Sequence, residues 1–198
     1  MGLDFQYITG QTPLDEEEIE GLLIPAIATR GELDEFEQQN IENSIQWTMS
    51  RSFKPEFVFT EDFMRLLHKK MYGDVWSWAG EFRKTNKNIG VDRLQIPTDL
   101  RYLLDDAKYW HENNTFSSDE IAIRFKHRIV QIHCFPNGNG RHSRLIADII
   151  IEKIYQRPVF TWGAMNLTAE GAARNEYIKA LRAADKGDYL LLLAFARS

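Results

Sequence analysis

Between Arg124 and Arg144 the chain carries five bases, Arg124, Lys126, Arg128, Arg141 and Arg144, and no Asp or Glu. Inside that stretch runs His133-Cys134-Phe135-Pro136-Asn137-Gly138-Asn139-Gly140-Arg141-His142-Ser143-Arg144. Its glycines let the backbone approach a ligand closely, and the amides that open the following helix lack intrahelical partners and carry the positive end of its dipole. The combination is that of a phosphate cradle. Arg141 and Arg144 stand three apart, on one face of the helix's first turn, where they can grip further phosphates. Cations are disfavoured at a helix N-terminus, so two of them point to an anion that offsets the cost. His133 ends the preceding helix, where an imidazole with a pKa near ~6.5 could take a proton from a hydroxyl. Spacing alone also allows a structural histidine. GxxxxGK[ST] is absent, which argues against P-loop NTPase chemistry.

Other chemistries are weaker. His127, His133 and His142 have no carboxylate beside them in the sequence to complete a zinc site. Cys134 adjoins His133, but neighbouring side chains rarely form a working dyad, and a lone cysteine forms no internal disulfide. The five tryptophans read as core or rim residues.

The elements that must hold these residues are helical. Thr12-Pro13 predicts a helix near 13 to 24, and Thr29 with Glu32 a capping box ahead of one over about 30 to 50. Thr60 precedes the stripe Phe63, Met64, Leu66, Leu67 and Met71, and Thr98 precedes Leu100, Leu103, Leu104, Ala107 and Trp110. Ser117 with Glu120 makes a second capping box, opening a helix that runs to His133. Leu145, Ile146, Ile149, Ile150 and Ile154 mark a buried helix, with others near 168 to 184 and 188 to 196. Asn86 to Pro97, with Gly90 and the β-branched Ile89, Val91 and Ile96, predicts an exposed hairpin. Residues 1 to 12 read as a loose lead-in.

At 198 residues, 43% of them hydrophobic, the chain has the material for one large domain or a core with an appendage. Lys and Arg total 24 against 29 for Asp and Glu, a formal net charge of −5, which argues against direct nucleic-acid or anionic-membrane binding. With no signal-like N-terminus or spanning apolar run, the expected location is cytoplasmic.

The string His133-x-Phe135-x-x-Gly138-Asn139-Gly140-Arg141-x-x-Arg144 closely resembles the HxFx(D/E)GNGRxxR signature of Fic (Fic/Doc) proteins. Trp78-Ala79-Gly80-Glu81-Phe82-Arg83 is similar to the WAGxxR segment before that family's flap, and Arg174 to Asp188 resembles its RxxYxxAL…GD stretch. With Thr29-Arg30-Gly31-Glu32-Leu33 included, the chain resembles the Fic-containing group called mobile mystery protein B.

The resemblance implies a mainly α fold, a Fic-type helical core with a short β-hairpin flap. Residues 1–58 would be an N-terminal helical extension with a regulatory role and 59–198 the Fic domain. It implies transfer of AMP, or a related phosphate-linked group, from a nucleotide such as ATP to a protein Ser, Thr or Tyr hydroxyl, with Mg2+. Residue by residue, His133 would be the general base, acting with Asn139 and Arg141, and Phe135 a buried anchor. Gly138, Asn139 and Gly140 would form the anion hole, Arg141 and Arg144 would hold the outer phosphates, and Tyr177 would lie beside the base. The flap, about Lys87 to Ile96, would dock the target protein by adding a strand to it.

Two departures qualify this. Asn137 stands where relatives carry an acidic metal ligand; an amide oxygen can still coordinate Mg2+ but brings no charge. Glu42-Asn43 matches only the end of the family's inhibitory (S/T)xxxE(G/N) pattern, since Gln38 replaces the Ser or Thr; Glu42 is the regulatory candidate there, or else a polar-face residue. The alternative to an enzyme is a catalytically weak nucleotide- or protein-binding module of a toxin-antitoxin-like pair, with a helix-turn-helix partner protein.

Overall fold

The structure, a computed structural model, describes residues 14–164 and 171–198. Among them run nine α-helices: α1 (Glu16–Ile19), α2 (Arg30–Met49), α3 (Pro55–Val58), α4 (Glu61–Tyr72), α5 (Ile96–Asn113), α6 (Ser118–Ile132), α7 (Asn139–Ile149), α8 (Ala172–Ala184) and α9 (Leu190–Arg197). A π-helical turn, Ile150–Ile154, continues α7, and a 3-10 turn spans Trp162–Ala164. The fold is mainly α, as expected.

Local chemistry explains most boundaries. The Thr29 hydroxyl accepts from the Glu32 amide at 3.3 Å and the Glu32 carboxylate from the Thr29 amide at 2.9 Å, closing the capping box of α2. Thr60 caps α4 through the Phe63 amide at 3.2 Å. Ser117 caps α6, but its expected box does not close, because Glu120 turns to the Arg124 guanidinium at 2.9 Å. The helix expected near 13 to 24 shortens to α1. Beyond it the Leu23 amide bonds the Val75 carbonyl and the Ser77 amide the Gly21 carbonyl, each at 2.8 Å, around a bridge between Leu22 and Trp76. Thr12 and Pro13 lie outside the described residues, as does the start of the helix expected at 168.

The expected hairpin is where structure and sequence part. Residues 86–95 form turns and bends, with no strand among the described residues. Asn86 is the reason: its amide donates to Asp92 at 2.9 Å and its carbonyl oxygen accepts the Arg93 amide at 2.8 Å, so a side chain closes the loop where ladder bonds would. Pro97 belongs to the first turn of α5, which starts at Ile96, ahead of the start signal read at Thr98.

The layers follow from the buried faces. α2 packs on α4, α5 and α7 on α6, and α8 on α9. Phe63, Met64, Leu67 and Met71 of α4 and Phe125, Ile129 and Ile132 of α6 are buried, each contributing roughly 1.5–3 kcal/mol by leaving water. α6 and α7 carry the basic stretch, and the turn between them is the motif loop.

Candidate active site

The loop is defined at both ends by left-handed residues. His133 terminates α6 with φ 58° and ψ 60°, and Gly138 precedes α7 with φ 76°. A Cβ at Gly138 would come within 2.5 Å of the Tyr72 ring, so only glycine fits. Asn139 closes the turn on itself: its Oδ1 accepts the Phe135 amide at 2.9 Å and its Nδ2 donates to the Phe135 carbonyl at 2.8 Å. Phe135 is fully buried and stacks on the His68 ring at 3.8 Å. His68 accepts the Gly80 amide at Nδ1 and so donates from Nε2 to the Asn137 carbonyl, both at 3.0 Å. That neutral tautomer suits a ring whose pKa burial pushes well below the usual value. The first helical bond runs from the His142 amide to the Gly138 carbonyl at 2.9 Å, leaving the amides of residues 139–141 at the helix mouth. A Cβ at Gly140 would meet nothing within 4 Å, so that mouth is open.

His133 is buried, and its Nδ1 lies 3.4 Å from the Val130 carbonyl. A carbonyl only accepts, so Nδ1 carries the proton and the lone pair is on Nε2. Burial above all brings the pKa down to about 4, with Arg83 and Lys87 pushing the same way, and the ring is neutral at physiological pH.

Arg83, which sequence reasoning left as the last letter of a motif, fixes the loop on this side. Its buried guanidinium donates to the carbonyls of His133 at 2.6 Å, Thr85 at 2.8 Å and Val91. Three carbonyls from two segments thus tie residues 85–91 to the catalytic-histidine candidate. The other side of this segment is held by Lys87, which pairs with Asp15 at 2.9 Å and with Glu18.

The arginines are held differently. Arg141 Nη2 donates to Glu37 Oε2 at 2.6 Å, while Glu37 Oε1 accepts the Trp76 indole at 2.8 Å and the guanidinium lies 5.2 Å from the Tyr72 ring centroid. Burial opposes the Arg141 charge, but Tyr72 and Glu37 outweigh it and raise its pKa. Glu37 is 2% exposed. Sequence reasoning missed it, although Leu33, Glu37, Ile41, Ser44 and Thr48 mark one buried face of α2, and a carboxylate on such a face demands a cation. Arg144 has no ion pair among the described residues, and its Cζ lies 5.9 Å from the Tyr177 ring centroid.

Four expectations change. Glu42 is exposed and accepts from Gln38 at 3.0 Å; the carboxylate that pairs with a motif arginine is that of Glu37, on Arg141. Tyr177 is buried against Phe195 and Lys126 and does not line an open base pocket. Asn139 spends its side chain on the loop and so positions the cradle. Asn137 accepts the Gly138 amide at its Oδ1 at 2.5 Å, and among the described residues no cluster of His, Cys, Asp and Glu fits a metal ion. Beside Pro136 lies a cavity of about 400 Å3 whose walls include Asp15, Glu18, Glu81, Trp78 and Phe82. Its acids disfavour a polyphosphate, which the α7 mouth favours.

The description Fic/DOC family belongs to the sequence model that matches residues 58–151. Those residues belong to the Fic/DOC family. Protein adenylyltransferase Fic of Drosophila grimshawi is 29% identical over 126 residues, 62% of this chain and 24% of the relative. The Aedes aegypti protein of that name is 27% identical over 139 residues, 68% and 26%. The chain thus spans about a quarter of the length of these curated relatives. Among solved structures, Fic-1 (aa134–508) from C. elegans superposes with a TM-score of 0.67 at 22% identity, covering 90% of this chain and 51% of that one. BepC, a VirB-translocated Bartonella effector from Bartonella tribocorum with bound AMPPNP, gives 0.70 at 14% identity, covering 92% and 97%. At these identities the structural likeness establishes the Fic fold. No helix among the described residues is long and apolar enough to cross a membrane.

Proposed function

We propose that this Fic-family chain moves AMP from ATP to a Ser, Thr or Tyr hydroxyl of a protein. The observation that carries the reading is the neutral His133, its lone pair on Nε2, beside the open, amide-lined start of α7. The target hydroxyl gives its proton to His133 as its oxygen attacks the α-phosphorus; the bond to the β-phosphate oxygen breaks and pyrophosphate leaves. Amides at the α7 mouth and the Arg144 guanidinium receive the charge that develops on the phosphates. The segment 85–91, latched to the His133 carbonyl by Arg83, presents the target, and the acidic cavity beside Pro136 suits a cationic side chain of that target. The support from relatives is the name protein adenylyltransferase and the AMPPNP bound to BepC.

Mg2+ has a poor protein anchor here: Asn137 is uncharged and its oxygen is engaged by the Gly138 amide. No step above runs through a metal. A second reading, a nucleotide-binding module with little turnover, is favoured by the Glu37 carboxylate on Arg141.

The test is incubation of wild-type and His133→Ala protein with α-labelled and, separately, γ-labelled ATP and a cell lysate. Label on protein from the α position alone, lost in His133→Ala, is the expected result; label that survives His133→Ala would remove His133 as the base. Nucleotide binding without label would favour the module.

A further inference from the structure

The cavity beside Pro136 has an apolar inside and a charged edge. Pro136 is buried and Trp78 and Phe82 are half-buried, whereas Asp15, Glu16, Glu17, Glu81 and Lys84 are exposed, so rings line its depth and charges its rim. At about 400 Å3 it has the size of a ligand pocket rather than of a packing defect. Its walls are fixed from behind: Trp78 stacks on Trp76 at 4.9 Å and donates its indole N–H to the Glu18 carbonyl at 2.9 Å, and Phe82 carries the Arg65 guanidinium 3.5 Å from its ring centroid. An occupant would therefore meet a surface already in shape.

The charges divide by task. Asp15 accepts from the Thr85 hydroxyl at 2.6 Å and from Lys87 at 2.9 Å, and Glu18 accepts from Lys87 and from the Asp15 amide, so these two acids hold the segment that begins at Thr85. Glu16 and Glu17 hold nothing: they are exposed and form no ion pair among the described residues. Glu81 meets Lys84 at 3.3 Å, but both are well exposed, and such a pair is weak. Five carboxylates thus stand around two ammonium groups, and the field at the rim is negative. Position gives the cavity its meaning. It is bounded by Thr85, whose carbonyl Arg83 holds together with that of His133, and by Pro136 of the motif loop itself.

We infer that this cavity receives an arginine or lysine of the target protein close in sequence to the modified hydroxyl, and so selects hydroxyls in basic surroundings. The long stem of either residue is apolar and suits Trp78, Phe82 and Pro136, while its charged head reaches the carboxylates of the rim. A nucleotide polyphosphate is repelled there, and an acidic target segment equally so. The inference rests on the protein-transfer reading for the nature of its occupant, and it adds a sequence preference to that reading.

The probes are three heptapeptides, ARASARA, AQASAQA and AEASAEA, titrated into the full chain with binding followed by NMR, where the Trp78 indole N–H reports from the cavity wall. Wild type should bind ARASARA most tightly and AEASAEA least, with the preference shrinking as salt is raised. The triple variant Glu16→Gln, Glu17→Gln, Glu81→Gln should weaken ARASARA about tenfold, and Lys84→Gln should tighten it about twofold. All four side chains are exposed, so the thermal midpoint serves as the check that the variants fold. Equal binding of ARASARA and AQASAQA, no binding of either, or a preference that survives in the triple variant would overturn the inference. Transfer of α-labelled AMP to the same peptides separates it from the transferase reading. Arginine-selective binding without label leaves the cavity and removes the transferase; label without arginine preference leaves the transferase and removes the cavity.

Discussion

Arg141 and Arg144 leave α7 one turn apart and meet opposite surroundings. Arg141 finds the buried Glu37 carboxylate, itself fixed by the Trp76 indole, and its charge is satisfied inside the protein. Arg144 lies against the Tyr177 ring, whose hydroxyl oxygen can accept from it, and has no ion pair among the described residues. The same side chain in the same motif is thus paired with a carboxylate on the α2 side and with an aromatic ring and its hydroxyl on the α8 side. What decides the difference is which neighbouring helix carries a carboxylate on its buried face.

Changing that carboxylate should have the largest effect. Glu37→Gln removes the charge opposite Arg141, and ATP affinity measured by calorimetry should rise about tenfold as the guanidinium is released to phosphate. The same variant leaves a buried charge uncompensated, so chemical denaturation should show a loss of about 3 kcal/mol. Unchanged ATP affinity would place Arg141 outside the nucleotide site.

A smaller effect is expected at Asp148, one turn beyond Arg144. Burial raises its pKa to about 7 against the hydrogen bonds from Trp162 and Phe160. Because the folded value is raised, the neutral acid stabilises the fold at low pH, and that contribution disappears as pH climbs through about 7. Ionised, it gives Arg144 the carboxylate neighbour that Arg141 already has. Sulfate, whose charge is constant over the range, should therefore bind about threefold more weakly at pH 8 than at pH 6. Asp148→Asn should flatten that slope; a slope that persists would mean that Asp148 is not its source.

The smallest effect belongs to Glu42. It is exposed and bonded to Gln38, so Glu42→Gly should leave ATP affinity and label transfer as they are. A gain there as large as that of Glu37→Gln would mean that α2 presents a different face to the motif than the one described.

The contrast also marks what could be read in advance. Helices with a capping threonine and an apolar stripe were legible, because Thr29 and Thr60 act within a few residues and need nothing remote. The motif loop was legible for the same reason: Asn139 closes it on Phe135, four residues away. Partners fixed by tertiary contact were not. Glu37 meets Arg141 across 104 positions and Arg83 meets His133 across 50, separations at which spacing carries no information. Their trace in the sequence is indirect, a charged residue on an apolar stripe, as with Glu37 on α2 and Lys126 on α6. The hairpin failed for a local reason, since the turn signals around Asn86 and Gly90 were read correctly but Asn86 takes the bonds a second strand needs.

The most direct measurement compares α-labelled ATP transfer to protein by Glu37→Gln and by the double variant Glu37→Gln, His133→Ala. The predicted result is more label than wild type in the single variant and none in the double. Label of equal strength in both would contradict the account, because the released arginine would then be serving a reaction that does not use His133.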